Sequence, residues 1–499
     1  MAHTNGRLST RGSVFSMPNV GPCLSDILSN QWNPDSNAGG CVCLGVAENT
    51  LMHAELEEFI SQKVTTITSH TLTYGDGFNG SIGLREAIAA LMTRYFLPFS
   101  PVLRDHVSVT SGVGPAIEAC SFLLCDPGDA VLLARPYYGS IPGEIYHRAR
   151  VQTIGVSFGK DIDPFSVESC AAYEDALLEA RANGIAVRAM ILCNPHNPLG
   201  RRYSRPTLER YLQFCQKYQI HLLSDEVYAL STWINEDAPD ATSFTSVLSI
   251  NLHGLVDPSL VHVLWGISKD FGCSGLRIGC VVSQSNAFFR RALQANAHYT
   301  YPSSLSDLVA RAILVDTVFV DSFLQENRKR LAHNYALTAR ILNQEGISYT
   351  RGGNAGFFIW VNLLSTLPVA LDRESKGDTA TNRLGLNAGR KTTEGDEGEA
   401  QKLTLSVEEM WTLEAALSDT LLKHGVFLAS GAAFGSEVPG WFRIVFSHPE
   451  PYLLEGLSRI VRAARDVARR IEPIVSRQRS VCSSDEKSVC WGIGVSGVA

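Results

Sequence analysis

The chain has 499 residues, of which 45% are hydrophobic and 19% are charged, and its formal net charge is −7. This length allows more than one domain, and the composition is that of an ordinary soluble globular protein. A negative net charge gives no electrostatic reason to expect binding to nucleic acid, and no apolar run reaches the length of a membrane span.

The twelve cysteines indicate a reducing environment rather than a metal site. Cys41-Val42-Cys43 has no second cysteine pair at the spacing of a zinc site, and several other cysteines lie in apolar segments, where a thiol acts as a small hydrophobic group. The first twenty residues lack the apolar centre of a secretory signal. We therefore expect no bound metal and a cytoplasmic location.

The first 75 residues divide into two parts. Gly, Ser, Asn and Pro recur through residues 1–40, which predicts a mobile N-terminal arm. In residues 41–75, the apolar run from Leu44 ends in Glu48-Asn49, a pattern that on its own fits a strand followed by a helix cap. The glycine-rich loop Tyr74–Ser81 then precedes an amphipathic helix predicted over Leu84–Phe96, with Ser81 as its N-cap.

Residues 76–310 are expected to form a large domain in which strands and helices alternate. The predicted strands are Val107–Thr110, Ala130–Ala134, Ala189–Cys193, His221–Ser224, Val261–Trp265 and Ile278–Ser283. Continuous apolar strands alternating with helices predict a mainly parallel sheet that is covered on both faces. In such sheets ligands bind at the carboxyl ends of the strands.

Residues 311–472 are expected to form a smaller domain. It begins within a helical region predicted over residues 304–344 and contains strands predicted at Ala355–Asn362 and Trp441–Ser447. Between these strands, residues 365–403 are rich in charged residues and glycine and have few apolar side chains, which predicts a disordered insertion. A last helix is predicted over Pro451–Ile471, and residues 473–499 are predicted to be a mobile tail.

Several of the predicted strands end in residues that suit chemistry. The strand Val261–Trp265 runs into Ser268-Lys269, with Arg277 eight residues further on. An isolated lysine of this kind usually reaches solvent, but a buried one has a lowered pKa and can react as a free amine. Similarly, the strand that ends at Ser224 is followed by Asp225 and Tyr228.

Four further segments combine with these. Asn194-Pro195-His196-Asn197-Pro198-Leu199-Gly200 follows one strand, and Ser111-Gly112-Val113-Gly114-Pro115 joins another to a helix start, where backbone N–H groups favour an anion. Tyr137-Tyr138 follows a third strand. Arg443 lies inside an apolar strand, and a buried guanidinium needs an anion as its partner. Asn354, in Gly353-Asn354-Ala355-Gly356, is a weaker candidate for the same contact.

Taken together and in their order along the chain, these segments resemble those of the class I/II aminotransferases. Within that family they most resemble the 1-aminocyclopropane-1-carboxylate synthase-like group. The resemblance implies an α/β, fold-type I transferase with pyridoxal 5'-phosphate as cofactor. Lys269 would form the Schiff base, Asp225 would pair with the ring nitrogen, and Tyr228 and Asn197 would donate to the phenolic oxygen. Tyr138 would lie on the ring, and the phosphate would be held by Ser268, Arg277, Val113 and Gly114.

The resemblance also implies a substrate site and an assembly. Arg443 would bind the substrate α-carboxylate, with Asn354 as a weaker partner, and Glu48 would lie at the substrate. The loop that contains Phe78 would reach the active site of a second copy, so the protein would be a homodimer with shared sites. Relatives often carry a tyrosine where Phe78 stands, and hydroxyl side chains where Gly114 and Gly266 stand.

Three functions remain open at this point. The first is an aminotransferase that acts on an α-amino acid and a keto acid in amino-acid or specialised-metabolite biosynthesis. The second is an α,γ- or α,β-elimination like that of the cyclopropane synthases or of carbon–sulfur lyases. The third is a non-catalytic regulatory protein on the same fold, because fold alone does not fix function. The retention of Lys269, Asp225 and Arg443 together disfavours the third.

Overall fold

A computed structural model of the chain describes residues 8–16, 24–159, 161–371 and 403–482. The strands are β1 Val42–Cys43, β2 Val107–Thr110, β3 Ala130–Ala134, β4 Gln152–Val156, β5 Val187–Cys193, β6 His221–Asp225, β7 Val261–Gly266, β8 Gly279–Val282, β9 Ser348–Tyr349, β10 Phe358–Asn362, β11 Val369–Leu371, β12 Leu403–Leu405, β13 Val426–Phe427, β14 Ala429–Ser430 and β15 Trp441–Val445.

The helices alternate with these strands and enclose them. They are α1 Thr10–Phe15, α2 Leu24–Ser29, α3 His53–Lys63, α4 Ile82–Tyr95, α5 Val113–Leu124, α6 Ile141–Tyr146, α7 Cys170–Ala182, α8 Arg205–Tyr218, α9 Ile267–Asp270, α10 Ala287–Asn296, α11 Ser304–Val315, α12 Thr317–Gln344, α13 Val407–Lys423 and α14 Glu450–Cys482. In the four described ranges, no helix is both long enough and apolar enough to cross a bilayer.

The larger sheet has seven strands in the order β2-β8-β7-β6-β5-β3-β4. Strand β8 runs opposite to the other six strands, which are parallel to one another. The prediction of a mainly parallel sheet is therefore confirmed. The edge strand β4 was not predicted, because its half-exposed sequence, Gln152 to Val156, contains no continuous apolar run. In the centre of the sheet, Asp225 pairs with Cys193 on one side and Leu264 on the other, which brings three strand ends together.

The smaller sheet is antiparallel, in the order β14-β15-β10-β9. Strand β1 pairs in parallel with β13, and the Leu44 carbonyl accepts from the Val445 N–H at 2.8 Å, so the segment after residue 41 is built into this part of the molecule. The long helix α12 links the two parts, since Phe323 packs in the core around the larger sheet and Tyr335 in the core around the smaller one.

The predicted N-cap Ser81 begins its helix, and Ser204 begins another helix in the same way. The Ser81 hydroxyl accepts from the Leu84 N–H at 3.0 Å at the start of α4, and the Ser204 hydroxyl accepts from the Thr207 N–H at 3.3 Å at the start of α8. These contacts satisfy N–H groups that have no acceptor within their own helix.

The predicted N-terminal arm and insertion both contain ordered residues. In the arm, the Arg459 guanidinium donates to the carbonyls of Gly40 at 2.7 Å and Ala38 at 3.3 Å, so backbone contacts fix a stretch whose composition suggested mobility. At the ends of the predicted insertion, Val369–Leu371 pairs with Leu403–Leu405, and Val369, Leu403 and Leu405 are buried. Residues 372–402 lie outside the described ranges. The helix α14 also extends through residues 473–482 of the predicted tail, and residues 483–499 lie outside the described ranges.

Candidate active site

A cavity of about 780 Å³ lies between the ends of β5, β6 and β7 and the smaller sheet. Ten of the predicted site residues line it: Val113, Gly114, Tyr138, Asn197, Asp225, Tyr228, Ser268, Lys269, Arg277 and Arg443. They come from seven separate stretches of sequence, which the parallel strands gather at one edge. The fold therefore builds one site from most of the residues that the sequence singled out.

Lys269 lies in α9, directly after strand β7. Its Nζ donates to the Ala47 carbonyl at 2.7 Å. Burial, together with the positive charges of Arg443 and Arg277, lowers the pKa of Lys269 to about 8. A lysine with this pKa exists partly as the neutral amine near neutral pH, and the neutral amine is the form that attacks a carbonyl carbon or accepts a proton.

Asp225 ends strand β6 and is 5% exposed. Its Oδ1 accepts from the Val227 N–H at 3.2 Å, and burial raises the pKa of the carboxyl to about 7. A carboxyl in such a position becomes strongly ionised when a cation is placed beside it, because the attraction is weakly screened in a dry site. Asp225 is therefore suited to hold a protonated ring nitrogen.

Arg443 faces the cavity from the middle of β15 and is 3% exposed. Its Nη1 donates to Asn197 Oδ1 at 2.9 Å and its Nη2 donates to the Gly45 carbonyl at 2.6 Å, while its Nε has no partner among the described residues. Both acceptors are neutral, so the guanidinium charge is not neutralised by these contacts. A carboxylate is the ligand that fits such a group.

Asn197 has two roles in the geometry, although the sequence suggested only one. Its Oδ1 holds Arg443, and its Nδ2 lies 3.5 Å from the Tyr228 hydroxyl. The amide thus connects the guanidinium at the smaller sheet to the phenol that follows the larger sheet. Sequence reasoning assigned Asn197 to the cofactor alone, because the loop that carries it gives no sign of a neighbour 246 residues away.

The start of α5 forms a cradle for an anion. Val113 and Gly114 lie in its first turn, where N–H groups lack acceptors within the helix, and Ser268 and Arg277 line the same side of the cavity. Gly112 has φ 110°, and a Cβ there would lie 2.3 Å from Arg277 Nη2, so only glycine allows the guanidinium this close. The donors present fit a phosphate group.

Glycine at positions 114 and 266, where the resemblance leads us to expect hydroxyl side chains, has a steric explanation. A Cβ at Gly266 would lie 2.8 Å from the Ile278 carbonyl oxygen, and a Cβ at Gly114 would lie 2.7 Å from Glu144 Oε1. A serine or threonine at either position would therefore require its neighbours to move. The donors available to a phosphate at this place would be the Ser268 hydroxyl, the Arg277 guanidinium and the backbone N–H groups of Val113 and Gly114.

Glu144 is a cavity residue that sequence reasoning missed. It lies in α6, and its Oε2 is buried with no hydrogen-bond partner among the described residues. Burial and the negative charge of Asp225 raise the pKa of Glu144 to about 7, and Arg277 opposes them. The sequence around it, Ile-Pro-Gly-Glu-Ile-Tyr, carries no signal that distinguishes it from a surface acid.

The structure does not bring three predicted residues to the cavity wall. The Asn354 amide donates to the Thr242 carbonyl at 3.2 Å and lines a different cavity, so Asn354 does not stand beside Arg443 as a partner for the substrate carboxylate. Backbone hydrogen bonds from its segment to the Gly200 carbonyl hold it there. The Glu48 carboxylate acts on Lys269 through its charge, which raises the pKa of the lysine, but it does not line the cavity.

Phe78 is the third of these residues. Its ring packs against Tyr74, His298 and Tyr301, with ring centroids 5.2, 4.1 and 5.0 Å away. This cluster lies outside the cavity of its own chain. The role predicted for Phe78 belongs to the site of a second copy, so it stays a prediction.

Comparison with known proteins agrees with this geometry. The family model for aminotransferase class I and II matches residues 41–460. A probable aminotransferase, tcpI, of Claviceps purpurea is 32% identical over 84% of this chain and 88% of its own length. The 1-aminocyclopropane-1-carboxylate synthase-like protein 1 of Bos taurus is 31% identical over 91% of this chain and 82% of its own length.

Solved structures share the fold at lower sequence identity. The aspartate aminotransferase from Thermus thermophilus with maleate has a TM-score of 0.63 and 18% identity, and covers 91% of this chain and 99% of its own. The aromatic aminotransferase from Pyrococcus horikoshii has a TM-score of 0.62 and 20% identity, and covers 89% of this chain and 99% of its own. At these identities the likeness establishes a fold-type I α/β architecture.

Proposed function

The chain belongs to the class I and II aminotransferase family, whose enzymes depend on pyridoxal phosphate, and on that premise we propose that it transfers the amino group of an α-amino acid to a keto acid. One observation carries the proposal. Lys269, whose pKa is lowered to about 8, shares a cavity with Arg443, a buried cation whose hydrogen-bond partners are neutral. An amine and a carboxylate receptor on one cavity wall suit an α-amino acid.

The residues of the cavity fit the cofactor. Asp225 would pair with its ring nitrogen, Asn197 and Tyr228 would donate to its phenolic oxygen, and Tyr138 would lie against its ring. The phosphate would be held by Ser268, Arg277 and the N–H groups of Val113 and Gly114. When bound, pyridoxal phosphate supplies an electron sink for a bond that breaks at the α-carbon of the amino acid.

The chain's own residues then position the substrate and move a proton. Arg443 receives the α-carboxylate through two parallel N–H donors, which fixes the orientation of the α-carbon. Lys269 Nζ accepts the proton from that carbon as general base, and its lowered pKa keeps a fraction of the amine free for this task. In transamination Lys269 would also give this proton back, whereas in elimination a group of the substrate side chain would leave instead.

Elimination is the second candidate, and a relative's name supports it. The Bos taurus protein is named a 1-aminocyclopropane-1-carboxylate synthase-like protein. The residues of the cavity wall serve either reaction, because both begin with proton removal by Lys269. We rank transamination first because several relatives of similar identity are named probable aminotransferases, as tcpI of Claviceps purpurea is.

Product identification tests the proposal directly. The purified protein, saturated with pyridoxal phosphate, is incubated with single amino acids and a keto-acid acceptor, and the products are identified by mass. Transamination gives a keto acid that retains the whole side chain together with a new amino acid from the acceptor. Loss of a side-chain fragment without a new amino acid identifies elimination and overturns our ranking. No turnover of any amino acid by a protein that binds the cofactor supports the regulatory alternative.

We also propose that the protein is a homodimer with shared active sites. Tyr74, in the same loop as Phe78, is 71% exposed, which leaves aromatic surface available to a second copy. Mixing inactive Lys269→Ala subunits with inactive Phe78→Asp subunits tests this, because a hybrid dimer carries one site with both changes and one with neither. Recovery of activity supports shared sites, and no recovery despite proven subunit exchange contradicts them.

A further inference from the structure

A second cavity, of about 650 Å³, lies beside the first half of helix α12 and shares no lining residue with the catalytic cavity. Arg202, Arg328, Lys329, Trp233 and Asn354 are among the residues that line it. This volume lies in the range of small-molecule sites. Neither the proposed reaction nor the cofactor uses any of these side chains.

The cavity has an uncompensated positive charge. The Arg202 guanidinium makes no hydrogen bond or ion pair with any described residue, and its Nε is buried. Burial and the nearby charge of Arg328 lower the pKa of Arg202 to about 10. Within the described part of the chain, Arg328 makes one hydrogen bond, from its Nε to the Leu230 carbonyl at 3.2 Å.

The one carboxylate in the described lining is already engaged. Asp321 accepts from the Arg94 guanidinium and from the Tyr95 hydroxyl, at 2.5 Å in the second case. Lys329 lies 3.7 Å from Glu326, in a pair that is exposed to solvent and adds little stability. Two partly desolvated arginines that repel each other cost free energy unless an anion lies between them.

The side chain of Asn354 places a second requirement on a ligand, which is to supply a hydrogen-bond donor. It is 3% exposed, and while its Nδ2 donates to the Thr242 carbonyl, its Oδ1 is buried with no donor among the described residues. A buried acceptor without a donor costs about 1–3 kcal/mol. The cavity therefore presents cationic donors and a vacant acceptor to the same ligand.

We propose that this second cavity binds a small anion that also carries a hydrogen-bond donor, with its charged oxygens on Arg202 and Arg328 and its donor on Asn354 Oδ1. Hydrogen phosphate and hydroxy- or amino-carboxylates share this chemistry. Phosphate contacts of arginine are charge-assisted, and a forked guanidinium suits either anion. The inference rests on the second cavity alone and does not depend on which reaction the enzyme performs.

Calorimetric titration of the holoenzyme, with the catalytic cradle filled by pyridoxal phosphate, tests the site. Three probes are used separately: hydrogen phosphate, lactate and propionate, of which propionate matches lactate without its hydroxyl donor. We expect hydrogen phosphate or lactate to bind, and Arg202→Met to weaken that binding about tenfold or more, as for loss of a hydrogen bond to a charged group. Arg340→Met, which removes an exposed charge from the same helix as Arg328, is the matched control and leaves binding unchanged.

Each outcome bears on the inference. The probe that binds more tightly identifies the source of the anion, and lactate binding better than propionate supports the Asn354 contact; equal binding overturns that contact. Absence of binding by all probes, or equal binding by wild type and Arg202→Met, overturns the site. Binding that is lost in Arg443→Lys but kept in Arg202→Met belongs to the catalytic cavity and also overturns it. Arg328→Met probes the same site from helix α12 if Arg202→Met does not fold.

Discussion

Asp225 and Lys269 lie where strands β6 and β7 end, whereas Arg443 lies in the middle of strand β15. At the larger sheet, buried groups have pKa values shifted towards neutrality, to about 7 for Asp225 and about 8 for Lys269. At the smaller sheet, the buried guanidinium keeps its charge and has neutral acceptors as partners. The larger sheet thus supplies groups that can exchange protons, and the smaller sheet supplies a fixed receptor.

This difference separates chemistry from recognition. A group that transfers protons needs a pKa near the working pH, which burial provides at the strand ends. A receptor for carboxylates needs a permanent charge and a fixed direction, which a strand interior provides. Changes on the larger sheet are therefore expected to lower kcat, and changes on the smaller sheet to raise the KM for the amino acid.

The largest effect is expected for Lys269→Ala. Removal of the amine eliminates both the covalent link to the cofactor and the general base, so we expect no measurable turnover while the circular dichroism spectrum remains that of the folded protein. Steady-state product formation checks this. Turnover at a rate near that of wild type would break the assignment of chemistry to the strand ends.

A smaller but large effect is expected for Asp225→Asn. Leaving one member of a buried ion pair uncompensated costs about 3–5 kcal/mol, and expressed in the transition state this corresponds to about 10²–10³-fold or more in kcat. Rapid-mixing kinetics with saturating amino acid measure the effect, and a retained cofactor absorbance confirms loading. A rate within about threefold of wild type would contradict an ion pair to the ring nitrogen.

Arg443→Lys tests the role of the smaller sheet in binding the substrate. A lysine keeps the charge but loses the second donor, and loss of one charged hydrogen bond, worth about 1.5–3 kcal/mol, raises the KM for the amino acid about 10–100-fold. We expect kcat to change much less. A variant in which kcat falls while KM stays constant would show that the smaller sheet contributes to the chemistry as well.

Glu144→Gln tests whether a negative charge beside the anion cradle weakens binding of the cofactor phosphate. The pKa of Glu144 is raised to about 7, so its carboxyl is neutral below that pH and ionised above it, where it repels the cofactor phosphate. At pH 8 the variant is expected to bind pyridoxal phosphate about fivefold more tightly than wild type, the effect of about 1 kcal/mol of repulsion. The gain disappears at pH 6.

Fluorescence titrations of cofactor binding to both proteins across this pH range check the Glu144 prediction. The other titratable and charged groups that line the cavity, Asp225, Glu118, His147, Arg148 and Arg277, are present in both proteins, so the two differ only at position 144. An affinity ratio that does not change with pH would show that the carboxyl does not act on the phosphate.

The smallest effect is expected for replacement of residues 372–402, which connect strands β11 and β12 in the sequence. Strands β11 and β12 pair in parallel, and a parallel pair needs a connection of about a dozen residues or more. Replacing this segment with about fourteen glycine and serine residues should leave kcat and the melting temperature almost unchanged. A direct fusion of Leu371 to Leu403 should lower the melting temperature, because it prevents the pairing.

The sequence predicted the larger sheet better than its edges. The continuous apolar strands that lead to Asp225 and Lys269 can be read from the sequence, and the structure confirms the mainly parallel arrangement. Strand β4 escaped detection because it begins with Gln152 and Thr153, and only its last residue, Val156, is buried. Glu144 and Arg202 escaped because their significance comes from burial beside charges that are distant in sequence, which no local pattern encodes.

The sequence could not place Asn354, because its position depends on the direction of the backbone. Asn354 stands close to the smaller sheet in sequence, but hydrogen bonds from Asn354 and Ala355 to the Gly200 carbonyl turn its amide towards the second cavity. The composition of residues 30–40 could not reveal that Arg459 would bind their carbonyls. The sites predicted at strand ends lie together because parallel strands end at one edge.

The pairing of β15 has a consequence for substrate selection. Arg443 stands opposite Trp360 of β10 and Ala429 of β14, while its neighbours Phe442 and Ile444 are buried in the core. Side chains alternate between the faces of a strand, so a slip of one residue would turn the guanidinium into the core and bring an apolar side chain into the cavity. The hydrogen bonds between the strands of the smaller sheet fix the alignment of β10, β14 and β15. This alignment therefore decides whether the Arg443 guanidinium faces the cavity, where it is proposed to bind the carboxylate of the substrate.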